Sequence, residues 1–297
     1  MRALFKILTI ILMTSVIPSW LILDPLLHAW LLEDVGRGDR TTQSIFPQGS
    51  TKGKAEWIIK EDGVIAGLPI AARAFQLLSQ EVEFIPLGME GSYHQGGEII
   101  AKLEGFMDAL LTGERVALNL VMHLSGIATM TRKYVEAIAA YPTQLVDTRK
   151  TTPGLRILEK YATQVGGAHN HRMGLDDSVM IKDNHIKAAG GIDKAITLIR
   201  ETIPYPLTIE VETTNLGEVK TALECQADTI MLDNMSIEQM EQAVKLIREY
   251  NSRIKIEASG NITLENIAQV AHTGVDYIST SATITRSTWL DLSMKFI

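Results

Sequence analysis

Cysteine is almost missing: Cys225 stands alone among 297 residues. That excludes an internal disulfide and a zinc site built on thiolates, and it points to a reducing, cytoplasmic setting. Basic residues are in deficit too, with 28 Lys and Arg against 35 Asp and Glu and a formal net charge of -7. Such a chain lacks the basic face that displaces counterions from nucleic acid. No nucleic-acid partner is expected, and any bound anion must be met by a local cluster of cations. There is no Gly-rich dinucleotide fingerprint and no Walker loop. Nor is any apolar run long enough to span a bilayer; the run from Ile7 to Ile17, behind Arg2 and Lys6, falls short. It resembles a secretory signal but has no small-x-small cleavage site before Pro18. Residues 1–18 are expected to be an upstream apolar extension, with Met13 a candidate start, and no membrane association is expected.

What is present is an ordinary globular composition, 46% hydrophobic and 21% charged, with length enough for two unequal domains or one decorated barrel. From Trp20 to about Gly105 the pattern is mixed. An apolar helix around Pro25 to Val35 is followed by strand patterns at 54–60, 63–66, 82–86 and 98–103, with a helix at 69–79. The segment DALLTGERVALNLVMHLSGIATMTRKYVEAIAAY repeats apolar residues at three and four and reads as a long helix linking two domains, with Gly126 and Ala128 permitting close packing.

After Pro142 short apolar strands alternate with amphipathic helices. Strands are expected at 144–147, 178–181, 207–212, 229–233, 255–259 and 276–280, and helices at 155–164, 192–202, 216–226, 237–250 and 264–272. That alternation means parallel strands covered by helices. Every strand ends in polar groups: DTRKTT, IKDNH, EVETT, LDN, ASGN and STSA. An open sheet would be decorated only at its switch point, whereas a barrel gathers every C-terminal strand end at one mouth. A closed or nearly closed barrel is therefore expected.

Those ends supply Arg149, Lys150 and Lys182, and the loop GGAHNHR adds His169, His171 and Arg172. Arginine forks suit carboxylates and a lysine ammonium suits phosphate. Crowded cations repel one another unless an anionic ligand offsets the cost, although pairing with local acids such as Asp147, Asp176 and Asp183 would also explain single members. Opposite stand Glu210, Glu212 and Asp233. Oxygen donors beside a polyphosphate imply Mg²⁺, for which Glu212 and Asp233 are the candidates, while Glu210 is left open between ligand and lysine partner. The loops ASGNIT and STSATITRS can bind phosphate through backbone N–H groups. His28, His94 and His272 have no partners at metal spacing. The pair His169 and His171 sits beside Arg172, which would repel a metal ion.

The strings DTRKTTPGLR, GGAHNHRMGL, IKDNHI, IEVET, MLDNM, EASGNI and YISTSA, together with EDVGRGDRTT, GVIAGL and GERVALN, strongly resemble the quinolinate phosphoribosyltransferase family, from about Trp20 to the C-terminus. The resemblance implies an α/β, type II phosphoribosyltransferase-like fold: an N-terminal α/β sandwich domain over 19–125 and 283–297, and an incomplete α/β barrel over 126–282. It implies a homodimer in which one subunit's first domain caps the other's barrel. The implied reaction transfers phosphoribose from phosphoribosyl pyrophosphate to quinolinate with decarboxylation, yielding nicotinate mononucleotide, pyrophosphate and CO₂ on the de novo route to NAD.

Position by position, Arg149, His171, Arg172 and Lys182 match the residues that hold the two quinolinate carboxylates, and Arg115 matches an arginine donated by the partner. Lys150 matches the lysine that faces phosphoribosyl pyrophosphate, Glu212 and Asp233 match the acids near ribose and Mg²⁺, and Ser259, Gly260, Thr280, Ser281 and Ala282 match the 5′-phosphate loops. Many relatives have Gly-Gly where Gly260-Asn261 stands here, and LTHS where this chain has ITRS. Competing readings are a monocarboxylate acceptor such as nicotinate, a Schiff-base aldolase using Lys182 or Lys150, and a non-catalytic anion-binding or membrane-attached scaffold.

Overall fold

A computed structural model describes residues 16–297, so all but the last residues of the expected N-terminal extension lie outside it. The chain divides into two compact units. One runs up to Arg132 and also contains Ile157–Gly167 and Arg286–Ile297; the other comprises Lys133–Arg156 and Ala168–Thr285. Among the described residues no helix is long and apolar enough to cross a membrane.

In the first unit, helices α1 (Trp20–Val35), α2 (Arg40–Ile45) and α3 (Leu68–Leu78) accompany an antiparallel sheet. Its strands are β1 (Lys52–Ile59), β3 (Glu83–Pro86), β5 (Ile99–Phe106) and β12 (Leu292–Phe296), in the order β12-β1-β5-β3, and β2 (Gly63–Val64) pairs separately with β4 (Tyr93–His94). Alternation along β1 buries Ala55, Trp57 and Ile59, and Trp57 meets Phe84 edge-on at 5.3 Å and Phe75 at 6.2 Å. Two of the strings that carry the resemblance turn out to be helix starts. Asp39 of GDRTT caps α2 by accepting from Thr42 N at 3.0 Å and Thr42 Oγ1 at 2.6 Å. Gly67 of GVIAGL, at φ 100°, opens α3, where Glu90 accepts from the N–H groups of Gly67 and Leu68 and from the Tyr161 hydroxyl at 2.6 Å. Burial pushes the Glu90 carboxyl up, and those donors hold it back.

The long helix α4 (Met107–Ala137) is where the apolar repeat placed it. A methyl added at Gly126 would stand 1.9 Å from the Thr288 carbonyl oxygen. Gly126→Ala is expected to lower stability by about 3 kcal/mol, the upper end of ordinary overpacking, read as an earlier thermal melt. Helix α5 (Arg156–Gly166), expected with the barrel, has residues 157–166 in this first unit instead. Its amphipathic pattern announced a buried face but could not say against which partner.

The second unit carries six strands, all parallel: β6 (Gln144–Val146), β7 (Val179–Ile181), β8 (Ile209–Thr213), β9 (Thr229–Asp233), β10 (Lys255–Ser259) and β11 (Tyr277–Ser279). Their order is β6-β11-β10-β9-β8-β7, so β6 and β7 are edges and the barrel is incomplete. Val211, Ile230, Ile256 and Ile278 are wholly buried, as continuous apolar strands under helices require. Helices α6 (Asp183–Ala189), α7 (Ile192–Arg200), α8 (Leu216–Glu224), α9 (Ile237–Tyr250) and α10 (Ile267–His272) alternate with the strands, and α11 (Ala282–Thr285) follows the last. The free edge of β6 is not bare. His169 N donates to Leu145 O at 2.8 Å and Asp147 N to His169 O at 3.1 Å, which seats the cationic loop along that edge.

Candidate active site

Because the six strands are parallel, their C-terminal ends share one side of the sheet, and Arg149, Lys150, Lys182, Asp233, Ser259, Gly260 and Thr280–Ala282 stand there or in the loops that follow, while His169, His171 and Arg172 lie in the segment before β7 that runs along the edge of β6. Arg149 and Lys150 come after β6. Arg149 is half-buried, and its Nε is buried without an acceptor; Lys150 is exposed. Asp147, the acid that might have neutralised them, accepts instead from Asn170 Nδ2 at 2.6 Å and His171 N at 2.9 Å. It shapes the loop 168–172. Arg172 is held by Nη1 donating to Ser178 O at 2.9 Å. Among the described residues, none of Arg149, Lys150 and Arg172 forms a salt bridge. Burial, and then the charge of Arg149, pull the Arg172 pKa below its ordinary value. Two guanidiniums are therefore crowded together without a carboxylate in contact, an arrangement that calls for an anion.

The other two predicted cations are paired. Lys182 Nζ is in close contact with Glu212 Oε2. Lys182 also stands immediately before α6, a short helix not read from the sequence. His171 Nε2 lies 3.2 Å from Glu210 Oε2 and 3.4 Å from Glu257 Oε2. Burial resists protonation of His171, but the two carboxylates outweigh it and push the pKa up to about 10. At the other nitrogen Arg172 N–H donates to Nδ1 at 2.7 Å, a contact that needs the Nδ1 lone pair, so it favours the ring with its proton on Nε2 and opposes the second proton that the two carboxylates attract. Glu210 is raised by burial and by Glu257, against the pull of His171. Glu210, left open from the sequence between ligand and lysine partner, thus has a histidine partner, and Glu257 was missed altogether. A charged residue inside the apolar strand KIEAS was the available signal.

Asp233 ends β9 and Glu212 is the last residue but one of β8, each with a half-buried side chain. Asp233 Oδ2 accepts from Asn234 Nδ2 at 2.7 Å, and Asn234 Oδ1 in turn accepts from Asn261 Nδ2 at 3.0 Å. Asn234 and Asn261 both adopt positive φ, 54° and 51°, and Gly260 lies between their loops at φ 93°. A Cβ on Gly260 would fall 2.2 Å from Asn234 Oδ1, so only glycine fits. Ser259 O accepts from Asn234 N at 2.9 Å, which ties the ends of β9 and β10. Just after β11 the Thr280 N–H donates to Val146 O at 3.2 Å, and the Ala282 N–H donates to Thr280 Oγ1 at 3.1 Å. Thr280 and Ala282 therefore form the turn, and Ser281 is its half-exposed member. Arg115 is in the first unit, exposed on α4, where Glu114 beside it is raised by burial.

The arrangement can hold a planar dianion at the guanidiniums and a phosphorylated group with a divalent cation at the opposite acids. Residues 127–295 match the C-terminal domain, and residues 39–125 the N-terminal domain, of the family described as quinolinate phosphoribosyl transferase. The chain is 61% identical over 281 residues to a probable nicotinate-nucleotide pyrophosphorylase [carboxylating] of Synechocystis, covering 95% of each, and 45% identical to its counterpart in Bacillus subtilis, covering 92% of each. Among solved structures, NadC from Streptococcus pyogenes superposes with a TM-score of 0.88 at 42% identity, covering 94% of this chain and 98% of that one.

Proposed function

The chain belongs to the quinolinate phosphoribosyltransferase family, and from that premise we infer how its barrel mouth carries out the family's reaction. The enzyme transfers the phosphoribosyl group of phosphoribosyl pyrophosphate to the ring nitrogen of quinolinate, with loss of the neighbouring carboxylate, and forms nicotinate mononucleotide, pyrophosphate and CO₂. The observation that carries the residue assignment is the crowding of Arg149 and Arg172 without a carboxylate in contact. A pyridine dicarboxylate supplies the two missing charges, and forked guanidiniums hold it in plane. Lys182 completes this pocket, with His171 behind it. Lys150, exposed at the rim, faces the pyrophosphate.

Glu212 and Asp233 fit a hard divalent ion: both are oxygen donors at adjacent strand ends, and neither is sealed in the core. They would hold Mg²⁺, which when bound neutralises charge developing on departing pyrophosphate. Ser259, Gly260, Thr280, Ser281 and Ala282 frame the 5′-phosphate, with Gly260 bringing backbone close to it. The sugar passes through oxocarbenium character, so the protein's contribution is chiefly electrostatic and positional, and no protein nucleophile is needed. Quaternisation of the ring nitrogen then allows the adjacent C–C bond to break, its electron pair held beside the positive nitrogen while CO₂ leaves, and that carbon then takes a proton from water to give the product. A Schiff-base mechanism at Lys182 is disfavoured, because its Nζ is engaged by the Glu212 carboxylate, and at Lys150 borohydride trapping of a substrate adduct would be the test.

We place the enzyme in the cytoplasm as a homodimer, with Arg115 of the partner subunit closing the dicarboxylate pocket. The direct test supplies quinolinate, phosphoribosyl pyrophosphate and Mg²⁺ to the purified chain. Equal release of pyrophosphate and CO₂ is expected, with nicotinate at least 100-fold poorer, in line with about 10²-fold or more from one charge-assisted contact. Comparable turnover of nicotinate would sink the dicarboxylate assignment.

A further inference from the structure

Both ring nitrogens of His171 are already engaged within the protein. Nε2 faces Glu210 and Glu257 at 3.2 and 3.4 Å, and Nδ1 accepts the Arg172 N–H at 2.7 Å. The backbone is held as well, by His171 N donating to Asp147 Oδ1 at 2.9 Å. A histidine that grips a substrate carboxylate has to present an N–H to it, and this one turns its Nε2 proton toward two protein carboxylates. The two glutamates make a costly pair. Glu210 and Glu257 are 7% and 3% exposed, and each leaves its Oε1 buried without a hydrogen-bond partner. Neighbouring buried carboxylates repel unless something between them compensates, and the Nε2 proton is what lies between. Both belong to strand interiors, Glu210 on β8 and Glu257 on β10, and loop 168–172 is thus pinned to two strands at once.

We propose that His171 acts on quinolinate through Arg172, as a positioning residue, and that Glu210 and Glu257 belong to the same device. Arg172 is then fixed at its backbone N–H by Nδ1 and at its guanidinium by Ser178 O, and it feels the charge of Glu210 below it. The direction of its fork follows from the orientation of the imidazole, which the two carboxylates set. Charged groups around the ring are Glu210 from β8, Glu257 from β10, Asp147 after β6, Arg149 in the loop beyond it, and Arg172 itself. This assignment rests on the reading of Arg149 and Arg172 as the dicarboxylate pocket.

The test is a double-mutant cycle on the full-length enzyme with His171→Gln and Glu257→Gln, alongside Arg172→Ala, reading KM for quinolinate and kcat separately. If His171 positions Arg172, Glu257→Gln raises KM for quinolinate about tenfold with kcat within about twofold, His171→Gln does the same, and the double variant is no worse than the poorer single one, as for residues acting as a unit. Glu257→Asp, which keeps the charge and guards against a folding failure, is expected to recover part of the loss. A direct ligand role gives the opposite pattern: His171→Gln impaired, Glu257→Gln unchanged and the effects additive, which overturns the proposal. If Arg172→Ala itself leaves KM for quinolinate unmoved, the pocket reading fails first, and the two failures are told apart.

Discussion

Arg149→Ala is expected to cut kcat/KM for quinolinate by about 10³-fold and to collapse the preference for quinolinate over nicotinate, while the protein melts no earlier than the parent. The functional loss follows from what a fork-shaped cation does. Two parallel charge-assisted hydrogen bonds to a carboxylate, made where water is excluded, contribute roughly 3–4 kcal/mol when both form, which is the stated factor. The selectivity loss follows from the same contact, since nicotinate lacks one carboxylate and gains less from the guanidinium in the first place. The unchanged melt is the less obvious half. In the free protein Arg149 lowers the pKa of Arg172 by like-charge repulsion, and its own Nε is buried without an acceptor. Removing such a group relieves the fold even as it ruins the site, the usual sign of a residue kept for its ligand. Steady-state kinetics with both acids and a thermal melt check the two halves independently. A variant that unfolds early with its selectivity intact would reassign Arg149 to structure.

The barrel half was legible in the chain because parallel strands under helices are continuously apolar and end abruptly in polar groups. All six strands were placed to within a few residues, and so were the cations that follow them. What stayed hidden has physical reasons. The helix Asp183–Ala189 is short and begins Asp-Asn-His, residues that equally suit a turn, so Lys182 looked like a loop residue when it precedes a helix. The strand Leu292–Phe296 is five residues long and gains its identity only by pairing with β1, far away in sequence. Pairing also decided the charges. Arg149 and Arg172 are two and four residues from acids that the sequence offered as partners, Asp147 and Asp176. Asp147 is spent on the histidine loop, and among the described residues Asp176 forms no salt bridge with either arginine. Glu257 could not be ranked from sequence, because one acid in an apolar strand gives no hint of what it meets across the barrel. Arg115 entered through family resemblance alone, and no periodicity singles it out.

Glu212→Gln is the companion experiment on the opposite side of the mouth, and its expected signature is a split. Turnover should fall by about 10²- to 10³-fold, the scale on which one electrostatic contributor to a charged transition state is missed, and the Mg²⁺ concentration needed for half-maximal rate should rise. Binding of quinolinate should not weaken. In the free protein the Glu212 carboxylate is closely paired with Lys182, so the acid competes with substrate for the same ammonium. Neutralising Glu212 frees Lys182 for the dicarboxylate, and KM for quinolinate is expected to stay level or drop. A residue needed only for the fold would depress both parameters and the melting temperature together. The pairing also suggests how the two pockets communicate. When the dianion arrives and draws Lys182 toward it, Glu212 is released toward the sugar and the divalent ion, so filling the first pocket readies the second. Measured with saturating phosphoribosyl pyrophosphate, a fall in kcat below one-hundredth with an unchanged or lower KM for quinolinate supports that coupling. A rise in KM of tenfold or more shows instead that Glu212 holds Lys182 in place for the substrate.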